Sequence, residues 1–209
     1  MSGWPIRTIG DPALREPARA VDPEAIRQGA LEDWIAAMIA TMRAANGAGI
    51  AATQLDREAA SAPPLTIPQA ADPTATPRAC VVEVRDNPRY PWRPRIPLLV
   101  LVNPVVVPLS EERFDHWEGC LSVPDLRGLV ARHVHIRVEA LDRTGAPLTL
   151  EAAGLKAGVL QHELDHLDGA LFVDRVADPR TLCTVEHFRR HHEPGYLPYV
   201  RDLVERWGE

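Results

Sequence analysis

The run His162-Glu163-Leu164-Asp165-His166 constrains this chain more than any other stretch. It lies in a segment, 154–167, whose apolar residues recur at helical spacing. Residues four apart share one helix face, so both imidazoles can reach a single cation while Glu163 stands beside it. A cation so held lowers the pKa of water from about 15.7 to about 7, and a neighbouring carboxylate can carry the proton released. A catalytic centre of this kind takes three protein ligands and keeps a fourth position open. The remainder of the chain must therefore fold so that a third donor reaches this helix.

Local signals on either side define the elements available. Asp22 followed by Pro23 opens a helix as cap and first-turn proline, and Gly47 supplies its stop. Between them Leu31, Trp34, Ile35, Met38, Ile39 and Met42 form one apolar stripe. Residues 81–84 and 98–107 read as strands, the second long and apolar enough to be buried. Val134, Ile136 and Val138 alternate with His135, Arg137 and Glu139, and Asp142-Arg143-Thr144-Gly145 turns that strand back into 148–150. A last helix is predicted from Asp178-Pro179 to a point before Pro194, with a short piece over 200–207. The Pro-, Ala- and Thr-rich stretch 56–79 reads as a surface-loop insertion, and 87–97 as a second excursion. The expectation is an α+β fold: mixed or antiparallel β-sheets around a central helix carrying the H-E-x-x-H, with N-terminal and C-terminal helices. Residues 1–209 form a single domain in this reading, with a C-terminal helical extension over 178–209.

Composition excludes several roles. With a net charge of -6 over 209 residues the chain lacks the basic excess of a direct nucleic-acid reader. No stretch approaches the roughly 20 apolar residues of a membrane helix, and the first residues lack the apolar core of a secretory signal. A cytoplasmic location is expected, with no membrane partner. Cys80, Cys120 and Cys183 are odd in number and widely spaced, which is unlike a disulfide framework.

Three sources of a third ligand compete. An extended motif of the astacin and matrixin type would need a histidine where Phe172 stands, and that reading fails. A thermolysin-like endopeptidase would use a glutamate downstream, and Glu186 lies at a suitable spacing. The third source is Cys120, upstream in Trp117-Glu118-Gly119-Cys120-Leu121-Ser122-Val123-Pro124. A Cys-His-His set with an open position suits iron(II), zinc, nickel or cobalt. The other histidines, His116 among them, form no ligand pattern.

Three motifs in order resemble the peptide deformylase family: Gly47-Ala48-Gly49-Ile50-Ala51-Ala52-Thr53-Gln54, then Glu118-Gly119-Cys120-Leu121-Ser122, then Gln161 to His166. The middle motif is similar to the branch with a Trp-Glu-Gly-Cys-Leu-Ser-Val-Pro form. The resemblance implies Cys120, His162 and His166 as metal ligands and Glu163 as the proton carrier. It implies the Gln54 side chain and the Leu121 backbone N–H as donors to the developing oxyanion. Gly49, Ile50, Glu118, Gly119 and Arg127 are implied as substrate-binding, Gly49 by pairing its backbone with the peptide. The implied reaction is hydrolysis of the formyl group from formyl-methionyl nascent peptides. The implied cofactor is iron(II), with zinc, nickel or cobalt as substitutes in a purified sample, and a transient ribosome contact stays open. Gly158 stands where many relatives carry a larger residue lining the methionine pocket.

Overall fold

The computed structural model describes residues 3–60, 75–85 and 94–208. The expected loop insertion and second excursion lie outside the described residues over 61–74 and 87–93. The helices are α1 (Pro23–Arg27), α2 (Glu32–Ala44), α3 (Gly154–Leu167), α4 (Phe172–Arg175), α5 (Val185–His187) and α6 (Glu193–Trp207). The strands are β1 (Gly49–Ala51), β2 (Ala79–Val84), β3 (Ile96–Pro108), β4 (Arg113–Cys120), β5 (Val123–His133), β6 (His135–Leu141), β7 (Pro147–Ala153) and β8 (Cys183–Thr184).

Two sheets result, one of five strands in the order β1-β2-β3-β6-β7 and one of three in the order β4-β5-β8. Every pairing between these strands is antiparallel. Over 79–82 of β2 and 100–102 of β3 the strands are apolar on both faces because both faces are covered. Ala79, Val81 and Val102 pack with Trp34, Ile35, Met38 and Met42 of α2. Cys80, Val82 and Leu101 face the other way, onto Leu160, Leu164 and Leu167 of α3. Burying each large apolar side chain in these layers contributes roughly 1.5–3 kcal/mol before entropy is counted. Helix α3 also touches β4 and β5, so it runs between the two sheets.

The sheets are antiparallel, one of the two arrangements expected, and among the described residues the single parallel contact is the isolated bridge Arg19–Pro77. The expected architecture needs correcting in one respect. The site is not carried by a single H-E-x-x-H helix, because its third donor, Cys120, ends strand β4. The fold is α+β, with antiparallel sheets and flanking helices.

Some boundaries also move. Asp22 caps α1 by accepting from the Glu24 N–H at 2.8 Å, but the helix breaks at Gly29, whose φ is 80°, and α2 starts afresh after Leu31. The left-handed residue that ends α2 is Asn46, at φ 52°, one place before the expected Gly47. The expected helix from Asp178 to before Pro194 is replaced by a 3-10 turn, strand β8, α5 and a π-helical turn over Phe188–His192. Pro194 opens α6 instead of closing the helix before it, because a first-turn proline forfeits no intrahelical hydrogen bond.

Candidate metal centre

Cys120, His162 and His166 converge so that one donor atom of each lies within 4.8 Å of the others. The two imidazoles come from one face of α3, with ring centroids 4.9 Å apart and planes near perpendicular. Cys120 Sγ stands 3.2 Å from Nε2 of His166. The Ser122 N–H and the Gln54 side-chain amide also point at the sulfur, at 3.3 and 3.4 Å. Glu186 is exposed on α5 and takes no part in the cluster.

A layer of ion pairs lies behind the histidines. His162 shares its Nδ1 with Glu118 Oε2 at 2.7 Å, which leaves Nε2 to face the other donors. Arg132 grips both Glu118 oxygens at 2.7 and 3.0 Å and reaches Asp165 at 2.6 Å. Asp165 is also held by Arg175, at 2.7 and 3.2 Å, and so bonds to neither histidine. Burial alone would raise Glu118, but its hydrogen bonds to His162 and Arg132 hold it well below the usual carboxylate range. Burial opposes charge on His162 too, yet Cys120 and Glu118 hold that imidazole well above its ordinary range. The pocket therefore favours positive charge between the thiol and the histidines. Burial pushes His166 well below its usual range, keeping it in the neutral form that ligates metal. Donor chemistry, convergence and local field all fit a divalent transition-metal ion.

Glu163 lies beside this cluster, 4% exposed, and its Oε2 is buried without a hydrogen-bond partner. Burial, reinforced by the charge of Glu118 and opposed by that of His162, pushes its carboxyl up to about 7. Its Oε1 rests against β1, where a Cβ on Gly49 would stand only 2.5 Å away. Glycine at 49 is therefore a condition for the carboxylate position. Gly49→Ala is expected to displace Glu163 and lower kcat by on the order of 10- to 100-fold, with the metal content of the purified protein unchanged. Loss of metal along with activity would show that the clash reaches the ligands instead.

The remaining expected site residues line the cavity with one exception, Ile50. Gly49, Gln54, Glu118, Gly119, Leu121 and Arg127 line one cavity of about 690 Å³ that also exposes Cys120, His162 and Glu163. Gln54 is anchored by its Oε1 to the Ala51 N–H at 2.8 Å and by Nε2 to Ser122 Oγ at 3.0 Å, and the Arg127 guanidinium lies over Gly119. Ile50 points into the α2 core. Both Glu118 oxygens are engaged by Arg132 and His162. Arg132, which organises that layer, was not expected from the sequence. It lies 12 residues beyond Cys120 in a stretch with no strand signal of its own.

Fold and centre define a mononuclear metallohydrolase in which one strand and one helix share the ligands. The polypeptide deformylase family model matches residues 4–181. Peptide deformylase 1 of Nitrosomonas europaea is 38% identical over 176 residues, covering 84% of this chain and 89% of that protein. Peptide deformylase 2 of a Nostoc species is 40% identical over 185 residues, covering 88% and 92%. Among solved structures, the class I type b peptide deformylase of Acinetobacter baumannii bound to Met-Ala-Ser aligns with a TM-score of 0.72. It is 36% identical and covers 84% of this chain and 100% of that one. The chain belongs to the polypeptide deformylase family.

Proposed function

We propose that the cavity removes the N-formyl group of formyl-methionyl peptides, releasing formate and a free amino terminus. The observation that carries this reading is the buried Glu163 carboxylate, held against Gly49 beside the Cys-His-His cluster. When bound, a divalent cation supplies Lewis acidity, polarising the formyl carbonyl and making water acidic enough to attack at neutral pH.

The chain's own residues do the rest. Glu163 takes a proton from water as its oxygen bonds to the formyl carbon. It returns that proton to the amine nitrogen as the C–N bond breaks. Gln54 holds its amide beside the reacting oxygen and gives up its weaker bond, the one to sulfur, to donate there together with the Leu121 N–H. Strand β1 is an edge of its sheet, so the backbone at Gly49 and Ile50 can add the peptide as a further strand, a mode tolerant of sequence. Gly119 and Arg127 line the same cavity. Glu118 serves by fixing His162 rather than by touching the peptide.

Iron(II) is the ion we assign, as the resemblance to the deformylase family implies; the thiolate-imidazole donor set accommodates it and equally zinc, nickel or cobalt. Among the described residues no helix is long and apolar enough to cross a membrane. That agrees with a cytoplasmic enzyme that meets its substrates as they leave the ribosome.

The test is formate release from formyl-Met-Ala-Ser by protein purified without oxygen. Cys120→Ala is expected to lose both metal and activity, while Glu186→Ala keeps both. The opposite pattern would restore the endopeptidase reading. Exposure to air is expected to inactivate the iron form and spare a nickel-loaded sample. Equal loss in both would remove the iron assignment.

A further inference from the structure

The stretch matched by the family model ends at residue 181, yet the residues after it reach the cavity. Val185 lines it directly. Strand β8 pairs with Leu126 and Arg127. The rings of Phe188 and His192 lie 5.2 and 4.7 Å from Trp117. Tyr196 of α6 places its hydroxyl 3.0 Å from Nδ1 of His116, and that bond is buried. Arg127, Trp117 and His116 all face the cavity, so the C-terminal segment backs the β4–β5 wall at each of them.

His116 holds a particular place on that wall. It sits on the inward face of β4, 7% exposed, opposite Gly158 of α3. A Cβ on Gly158 would stand 3.5 Å from His116 Cδ2 and 3.1 Å from Phe114 Cζ, so strand and helix close tightly here and the rings fill the space a side chain would take. Gly158 precedes His162 by four residues, about 6 Å along α3. A formyl carbon and the Cβ of the residue that carries it are three bonds apart, about 4 Å at most. With the formyl group at the metal cluster, the first side chain of the peptide therefore starts within reach of the wall made by His116, Trp117, Gly158 and Val185. Trp117 and Val185 give that wall its apolar surface, and His116 sets a polar ring in it.

We propose that His116, positioned by Tyr196, determines which first side chain the cavity accepts, and that the C-terminal segment is thereby part of the substrate site. The inference rests on the deformylase reading above. Tyr196 is a positioning residue: its hydroxyl fixes the plane of the imidazole, and the imidazole fixes the depth of the wall. Tyr199 supplies an internal control on the same helix, since its hydroxyl accepts from the Asp115 N–H at 3.1 Å and Asp115 points outward, away from the cavity.

The experiment compares metal-loaded parent, Tyr196→Phe, His116→Phe and Tyr199→Phe. Calorimetry reads their affinity for Met-Ala-Ser and Ala-Ala-Ser, and formate release reads kcat and KM for the two formylated peptides. Removing one hydroxyl at Tyr196 is expected to weaken Met-Ala-Ser about 3- to 10-fold and leave Ala-Ala-Ser within about twofold. KM for formyl-Met-Ala-Ser should rise by the same factor with kcat within about twofold, the pattern of lost binding rather than lost chemistry. His116→Phe should shift the methionine-to-alanine ratio further, and Tyr199→Phe should leave it alone. The proposal is overturned if both Tyr196→Phe and His116→Phe keep the parent's ratio, or if Tyr199→Phe shifts it as much as Tyr196→Phe. Absence of formate from the parent would sink the deformylase reading, while the calorimetric ratios would still decide the role of His116.

Discussion

Glu163→Gln is expected to lower kcat for formyl-Met-Ala-Ser by about 10²- to 10⁴-fold while metal content and the urea midpoint stay close to the parent's. The amide matches the carboxylate in shape, so the contact of Oε1 with the β1 backbone at Gly49 survives. It cannot accept and return a proton, so the chemical step loses its carrier. The fold should not suffer, because Glu163 is buried among groups that do not pair with its charge, and its Oε2 has no partner to lose. KM should hardly move, since the carboxylate does not grip the peptide. A kcat within tenfold of the parent would remove Glu163 from the proton path. Loss of metal together with activity would make it a support for the ligands instead.

The parts of this site that were legible in the sequence are those that sit on regular elements. Helix α3 spans Gly154–Leu167 as its spacing predicts, because Leu160, Leu164 and Leu167 recur on one face and meet the five-stranded sheet. The Asp142 turn was equally readable, since Asp142 Oδ1 accepts from the Thr144 and Ala146 N–H groups and Gly145 takes a positive φ. Strands β4 and β5 were not. Their inward residues include His116, Glu118 and Arg132, so the alternation that marks a half-buried strand is broken by polar groups facing the core. The layer behind the metal ligands was hidden for the same reason, and with it the link from His116 to the C-terminal helix. Charges are tolerated on that inner face only because they pair with one another across two strands and a helix, and nothing in local sequence reports such a pairing.

Arg132→Met should expose how much of the fold depends on that layer. Arg132 and Glu118 have side chains only 5% and 2% exposed, so neither charge can turn to water when its partner is lost. Breaking a buried pair by removing one member typically costs about 3–5 kcal/mol, far more than the pair contributes relative to an apolar substitute. The loss should not fall equally on the two carboxylates. Asp165 keeps Arg175, whose side chain is 51% exposed, whereas Glu118 is left with His162 alone. Adding Glu118→Gln to Arg132→Met should therefore recover part of the stability, which a urea titration with unchanged slope would read as a partial return of the midpoint. Arg132→Lys should fall between, because one ammonium cannot meet the two Glu118 oxygens and Asp165 at once. Function should follow. With Arg132 gone, Glu118 is braced by His162 alone and no longer fixes the imidazole plane, and metal affinity should drop by about 10- to 100-fold, measured by competition with a chelator. If Arg132→Met unfolds at the parent's urea concentration and holds metal as tightly, the buried layer is packing and the histidines need no such support.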